Sequence, residues 1–260
     1  FQGLWIAGYD NNRPALGAKD ELSARAVVFR QGDSTVAIVT VDAIGLFYDE
    51  QVRIQQLVEQ QRPGEIDALF LQATHTHEAP DTLGQWGYVD PYVGLQQGPG
   101  RSDLHMNILR TKGAEAVVEA LDNLKPVEVR VGQVNHGVEN LLHDSRDPRI
   151  FNDALIAISL EDRDSGDVVA TLVSWGTHPE SLDSSNNYMS ADFIYALREG
   201  IVDNVLGICV AVSAGMQRLA HRSRIFATLA RMRFVDDNGK AFAPFGGDFV
   251  ENKRDRKSTR

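Results

Sequence analysis

The chain has 260 residues, 43% of them hydrophobic and 24% charged, and a formal net charge of −10. This length and composition suffice for one or two globular domains and exclude a disordered chain, a collagen-like fibre and a disulfide scaffold, the last because Cys209 is the single cysteine. An acidic chain repels phosphate backbones, so nucleic acid is not an expected partner, and no run of about 18 apolar residues exists to cross a membrane as a helix.

Residues 26–29 and 36–41 are short β-branched runs, and Gln31-Gly32-Asp33 between them predicts a hairpin turn. Apolar Val52, Ile54, Leu57 and Val58 predict a helix over 49–61, which Pro63-Gly64 stops. A buried strand over 66–73 then runs straight into Thr74-His75-Thr76-His77-Glu78. Residues 82–101, rich in Gly and Pro and carrying Trp86, Tyr88 and Tyr92, predict a long irregular loop of the kind that is functional or mobile. A helix over 103–122, capped by Asp103, follows. Strands are predicted at 127–134, 154–160 and 168–175, with Asp164-Ser165-Gly166-Asp167 closing the last two into a hairpin. A helix over 190–204, started by Ser190 with Asp192 in its first turn, leads to a strand at 207–212. Strands and helices mix without strict alternation, so the expected class is α/β or α+β: a mixed β-sheet core flanked by helices, with a metal site at strand ends.

Residues 217–260 differ from the rest. They hold 11 Lys and Arg against 5 Asp and Glu, so the acidic excess resides in residues 1–216. A solvated amphipathic helix over 217–233 is the simplest account of Arg218, Arg222, Arg224, Arg231 and Arg233, with a basic nucleic-acid arm a weaker one. The expected division is a catalytic domain over 1–216 and an atypical basic tail over 217–260. No signal peptide is legible, and the opening in mid-pattern at Phe1 together with the altered tail points to a piece of a longer protein.

Three segments could carry chemistry. His75 and His77 are two residues apart, so on an extended chain both face one side, a two-nitrogen start for zinc. One of the pair could instead handle protons, and two solvated histidines at a wet strand end are the bland alternative. Trp175-Gly176-Thr177-His178-Pro179 delivers a third imidazole at another strand end, with Pro179 stiffening the exit. Two strand ends that each present histidine are compatible with one pocket. Asp144-Ser145-Arg146-Asp147-Pro148 reads from spacing as a surface ion network, or as a guanidinium set to hold an oxyanion. Asp42 could accept from a ligand imidazole or cap the turn that follows it. Ser213 lacks the G-x-S-x-G context of a nucleophile, and no phosphate-binding glycine motif is present.

The segments IAGYDNNRPALG (6–17), VTVDAIGL (39–46), ATHTHEAPDTLGQWG (73–87), DSRDPRIFNDAL (144–155) and WGTHPESL (175–182), in this order, resemble the catalytic domain of the neutral/alkaline, non-lysosomal ceramidase family, closest to its shorter bacterial members. The resemblance implies a zinc-dependent amidohydrolase that cleaves the N-acyl bond of ceramide or a related lipid, within sphingolipid metabolism. It implies His75 and His178 as metal ligands for Zn2+. It implies His77 as a catalytic residue lining the site, and Arg146 as the catalytic arginine that contacts the reacting group. Zinc would lower the pKa of a bound water and polarise the amide carbonyl. The resemblance also implies a secreted or periplasmic location, a small lipid substrate and peripheral contact with membranes.

The chain departs from the family pattern where a glycine-rich S-G-A-x-G-G stretch is expected and Ser213-Ala214-Gly215-Met216-Gln217-Arg218 stands. The family's downstream glutamate and tyrosine ligands are not found. The competing expectations are a ceramidase-like fragment or binding module with an incomplete metal site, and a metallohydrolase of a non-lipid amide or ester on the same scaffold.

Overall fold

The computed structural model describes residues 3–135, 142–144, 147–150, 152, 154–205, 208–213, 218–219, 234–235 and 241–242. In chain order the elements are β1 (Gly17–Ala18), β2 (Ala24–Gln31), β3 (Ser34–Val41), α1 (Tyr48–Gln61), β4 (Ala68–Ala73), α2 (Asp103–Asp122), β5 (Val127–Val134), β6 (Leu142–His143), β7 (Leu155–Asp162), β8 (Val168–Trp175), β9 (Tyr188–Met189), α3 (Phe193–Val205), β10 (Ile208–Ser213), β11 (Arg218–Leu219), β12 (Phe234–Val235) and β13 (Ala241–Phe242).

Two sheets make the core. One has the order β2-β3-β4 and the other β10-β8-β7-β5. Both are mixed: β2 and β3 form the predicted hairpin while β3 and β4 run parallel, and β7 pairs antiparallel with β5 and β8 while β10 runs parallel to β8. The parallel pairs are those whose connections contain a helix, α1 between β3 and β4 and α3 between β8 and β10, because a parallel return needs a crossover.

The period of two along each strand sorts side chains between layers. Ala37, Val39 and Val41 of β3, with Val28 of β2, bury against Ile54 and Val58 of α1 and Leu109, Val117 and Leu121 of α2. The alternate positions Val27, Phe29 and Ile38 meet Ile158, Leu160, Ala170 and Leu172 of the second sheet. That sheet turns Leu155, Ala157, Val173 and Trp175 toward Phe193, Ile194, Leu197 and Ile201 of α3. The stack is therefore helices, sheet, sheet, helix. It realises the expected mixed core flanked by helices, with the core divided into two facing sheets.

Some local expectations shift. The cap of α2 is Ser102, whose hydroxyl accepts from the His105 amide, and Asp103 is the first helical residue. The third helix begins at Phe193, not at residue 190. Ser190 donates to Asp20 and accepts the Asp192 amide, and Asp192 sits at a positive φ of 58°, which keeps both residues ahead of the helix. Arg218–Leu219 pair as a strand with Leu142–His143 rather than starting the helix expected from residue 217, because the open edge of β6 offers backbone partners. The remainder of that expected helix lies outside the described residues. No helix among them is long and apolar enough to cross a membrane.

Candidate metal centre

The two histidine-bearing segments leave adjacent sheets at the carboxyl ends of β4 and β8. Their exits are tied together directly: the His77 amide donates to the Pro179 carbonyl at 3.4 Å. His75, His77 and His178 consequently form one cluster whose ligand atoms lie within 4.8 Å of one another. Ring centroids are 4.5 Å apart for His75 and His178 and 5.1 Å for the other two pairs. The two histidine-bearing strand ends therefore converge on one cluster.

The route to it differs from the extended-chain expectation. His75 has a φ of 64°, in the left-handed region that non-glycine residues seldom occupy, so the chain turns at the first histidine. The turn is held on both sides. The Thr74 amide donates to Val41 and its hydroxyl to Asp42 Oδ1, and the Thr76 hydroxyl donates to the Ser190 carbonyl. Asp42 thus acts neither on an imidazole nor as a turn cap. It gathers the Ser23 amide, the Thr74 hydroxyl and the Arg198 guanidinium.

Each imidazole has a defined neighbour. His75 Nδ1 lies 2.5 Å from the Ile44 carbonyl. Glu180 Oε1 lies 2.9 Å from His178 Nδ1 and 3.1 Å from His77 Nδ1. His77 Nε2 is 3.2 Å from His178 Nδ1. Burial lowers the pKa of His75, and it holds that of His77 down at about 4. Neutral imidazoles are the form that binds metal, and the three histidines together could hold a metal ion.

A second buried group underlies the cluster. Arg13 donates to Glu78 Oε2 at 2.8 Å, to the His77 and Ala7 carbonyls, and to the Asn186 carbonyl. Asn186 also donates to Glu78 Oε2 at 2.7 Å. Desolvation outweighs these partners and pushes the Glu78 carboxyl up to about 7. Tyr9 stacks edge-on against His77 at 5.1 Å and donates its hydroxyl to the Leu182 carbonyl. Gly8 passes so close that a Cβ there would lie 2.4 Å from the His77 Cβ.

Sequence reasoning gave no roles to Gly8, Tyr9, Arg13, Glu78, Glu180 or Asn186. All but Asn186 stand in segments that carry the family resemblance, which marks a segment without saying what its side chains touch. Arg146 lies outside the described residues. Asp144, expected on a surface network, is buried and accepts from the Ile150 amide.

The 82–101 loop is irregular, as expected, but closely pinned. Asp81 accepts from the Leu83, Gly84 and Trp86 amides, and Trp86 donates its indole to the Tyr9 carbonyl. An antiparallel bridge between Val89 and Gln96 shapes a turn that leaves Tyr92, Val93 and Leu95 exposed.

No protein-family model matches the chain, and no curated protein does. Among solved structures it is similar to neutral ceramidase from Pseudomonas aeruginosa, with 18% identity and a TM-score of 0.67 over 84% of this chain. It is also similar to a ceramidase complexed with C2, with 17% identity and a TM-score of 0.65 over 83% of this chain. The match spans 37% and 36% of those two chains, so this chain corresponds to little more than a third of their length. With three imidazoles gathered at the ends of two strands, the chain has a ceramidase-like fold.

Proposed function

We propose that this chain is the metal-binding part of a zinc-dependent amidohydrolase that cleaves the N-acyl amide of ceramide or a related N-acyl lipid. The observation that carries the reading is the convergence of His75, His77 and His178 from two separate strand ends. The fold shared with neutral ceramidase supports it. In this reading residues 1–216 form the catalytic domain, residues 217–260 a basic tail, and the protein is secreted or periplasmic.

His75 and His178 would hold the metal. When bound, zinc supplies Lewis acidity toward an amide carbonyl and a water made acidic enough to act near neutral pH. The rest is done by the chain. His77, kept neutral by burial, can take a proton and return it to a leaving amine. Arg146 is assigned the developing oxyanion, where a fixed guanidinium stabilises charge that the ground state lacks. The turn that exposes Tyr92, Val93 and Leu95 offers an alkyl chain an apolar surface.

Zinc content by elemental analysis, followed by an N-acyl-sphingosine hydrolysis assay, tests the reading. About one zinc per wild-type chain, lost in the His75→Ala/His178→Ala double variant and accompanied by chelator-sensitive hydrolysis, is the expected outcome. Zinc binding without hydrolysis of N-acyl lipids, alongside cleavage of simple amides or esters, would move the substrate away from lipids. A folded wild-type chain that binds no zinc overturns the reading and leaves a ceramidase-like fragment.

A further inference from the structure

We propose that Glu180 is the positioning residue of the metal centre: its carboxylate fixes His178 with the proton on Nδ1, so that Nε2 presents its lone pair to the ion. The inference rests on the metal-site reading above and adds a residue to it. The geometry is local and constrained. Glu180 lies two residues after His178, and the Glu180 amide donates back to the His178 carbonyl at 3.0 Å, closing a tight turn around Pro179. Pro179 fixes φ within that turn. Its side chain is 5% exposed, and Oε1 sits 2.9 Å from His178 Nδ1. A carboxylate oxygen can only accept, so the proton belongs to the imidazole nitrogen.

The same logic sets the other two rings. The Ile44 carbonyl also only accepts, so His75 carries its proton on Nδ1 and frees Nε2. The two rings assigned to the metal therefore offer the same nitrogen, each backed by an oxygen acceptor. Such outer partners fix the ring orientation and raise the basicity of the ligand nitrogen. His77 differs. Its Nε2 faces His178 Nδ1 at 3.2 Å, so that nitrogen is engaged within the cluster and is not left open as it is in the other two rings.

The test uses the whole chain and two variants, Glu180→Ala and Glu180→Gln. Two-bond 1H–15N correlation spectra of the 15N-labelled, metal-free protein report which ring nitrogen of each histidine is protonated, with His178 assigned by its loss in His178→Gln. Zinc affinity is measured by competition with a chromophoric chelator. Wild type is expected to show His178 as the Nδ1–H tautomer. Glu180→Ala should shift it toward Nε2–H and weaken zinc binding by roughly 10–100-fold. Glu180→Gln keeps an oxygen acceptor, so it should retain the tautomer and lose only part of the affinity. A wild-type His178 protonated on Nε2, or zinc affinity within about twofold of wild type in both variants, overturns the proposal. Should the alanine variant not fold, the glutamine variant decides by the same affinity criterion. The tautomer is read without metal and without substrate, so a failed hydrolysis assay leaves this inference standing, and a wrong tautomer leaves the hydrolase reading standing.

Discussion

Gly8 is the residue on which the most depends for the least side chain. Its φ of 110° and its contact with His77 leave no room for a Cβ. Gly8→Ala is expected to cost about 2 kcal/mol or more in stability and to weaken zinc binding by displacing His77, both measurable by urea unfolding and metal competition. An unchanged urea midpoint would show that the strand exit yields more easily than its packing implies. Charge at this scale has two opposing signs. The His77 value of about 4 lies below its ordinary 6.5, so the unfolded chain binds more protons between them, and stability falls as pH drops through that window. Glu78, raised from 4.5 to about 7, binds more protons when folded, so stability rises as pH drops from 7 to 4.5. Glu78→Gln removes the second effect only. Acid destabilisation of the chelator-treated protein between pH 6.5 and 4.5 should then be steeper than in wild type, as urea midpoints at three pH values would show. Equal slopes would contradict burial as the cause.

Among the elements, the segment between β8 and α3 is organised by one carboxylate. Asp192 accepts from the Ser181 amide and hydroxyl, the Leu182 amide and the Phe193 amide. It therefore starts α3 and anchors the chain that follows the His178 turn. Asp192→Ala is expected to destabilise by about 2 kcal/mol and to reduce zinc affinity, since it releases both. Ser102→Ala provides the contrast. It removes a helix cap whose partner is the His105 amide and which holds no residue of the His75, His77 and His178 cluster, so a loss of about 1 kcal/mol with zinc affinity unchanged is expected. Thermal unfolding and metal titration of the two variants together distinguish a site-linked cap from an ordinary one. Equal effects on zinc would refute the assignment.

At the scale of the molecule, the buried pair Arg198–Asp42 joins the two halves of the stack. Arg198 belongs to α3, which covers the four-stranded sheet, and Asp42 directly follows β3 of the three-stranded sheet. Their side chains are 2% and 0% exposed and 2.6 Å apart. Removing one member strands a charge in the interior, so Asp42→Ala is expected to cost about 3–5 kcal/mol. Because Asp42 also holds Thr74, that variant should lose the histidine turn and zinc binding together in one cooperative transition. Separate transitions by circular dichroism and by metal release would show that the two sheets unfold independently.

The sequence by itself determined the elements and the ligand types. Consecutive Val, Ile, Leu and Ala residues in β2, β3, β7 and β8 mark strands buried on both faces, and the spacing in α1 and α2 dictates helices. Short apolar runs ending in histidine identify where the imidazoles stand, because those signals are local in the chain. Which sheet each strand joins, the left-handed turn at His75 and the start of α3 were decided by distant partners such as Val41, Asp42, Ser190 and Asp20. The support of the cluster was also beyond local reading. Arg13 reaches Glu78 across 65 positions and Asn186 across 173, and Gly8 meets His77 across 69. Glu180 is near His178 in the chain, yet its contact with His77 exists only because the exits of β4 and β8 meet. A pattern of residue types records what each segment can do locally. The desolvation that lowers the pKa of His75 and His77 and the orientation of the cluster's nitrogens arise only when separate segments exclude water together, which is a property of the tertiary structure.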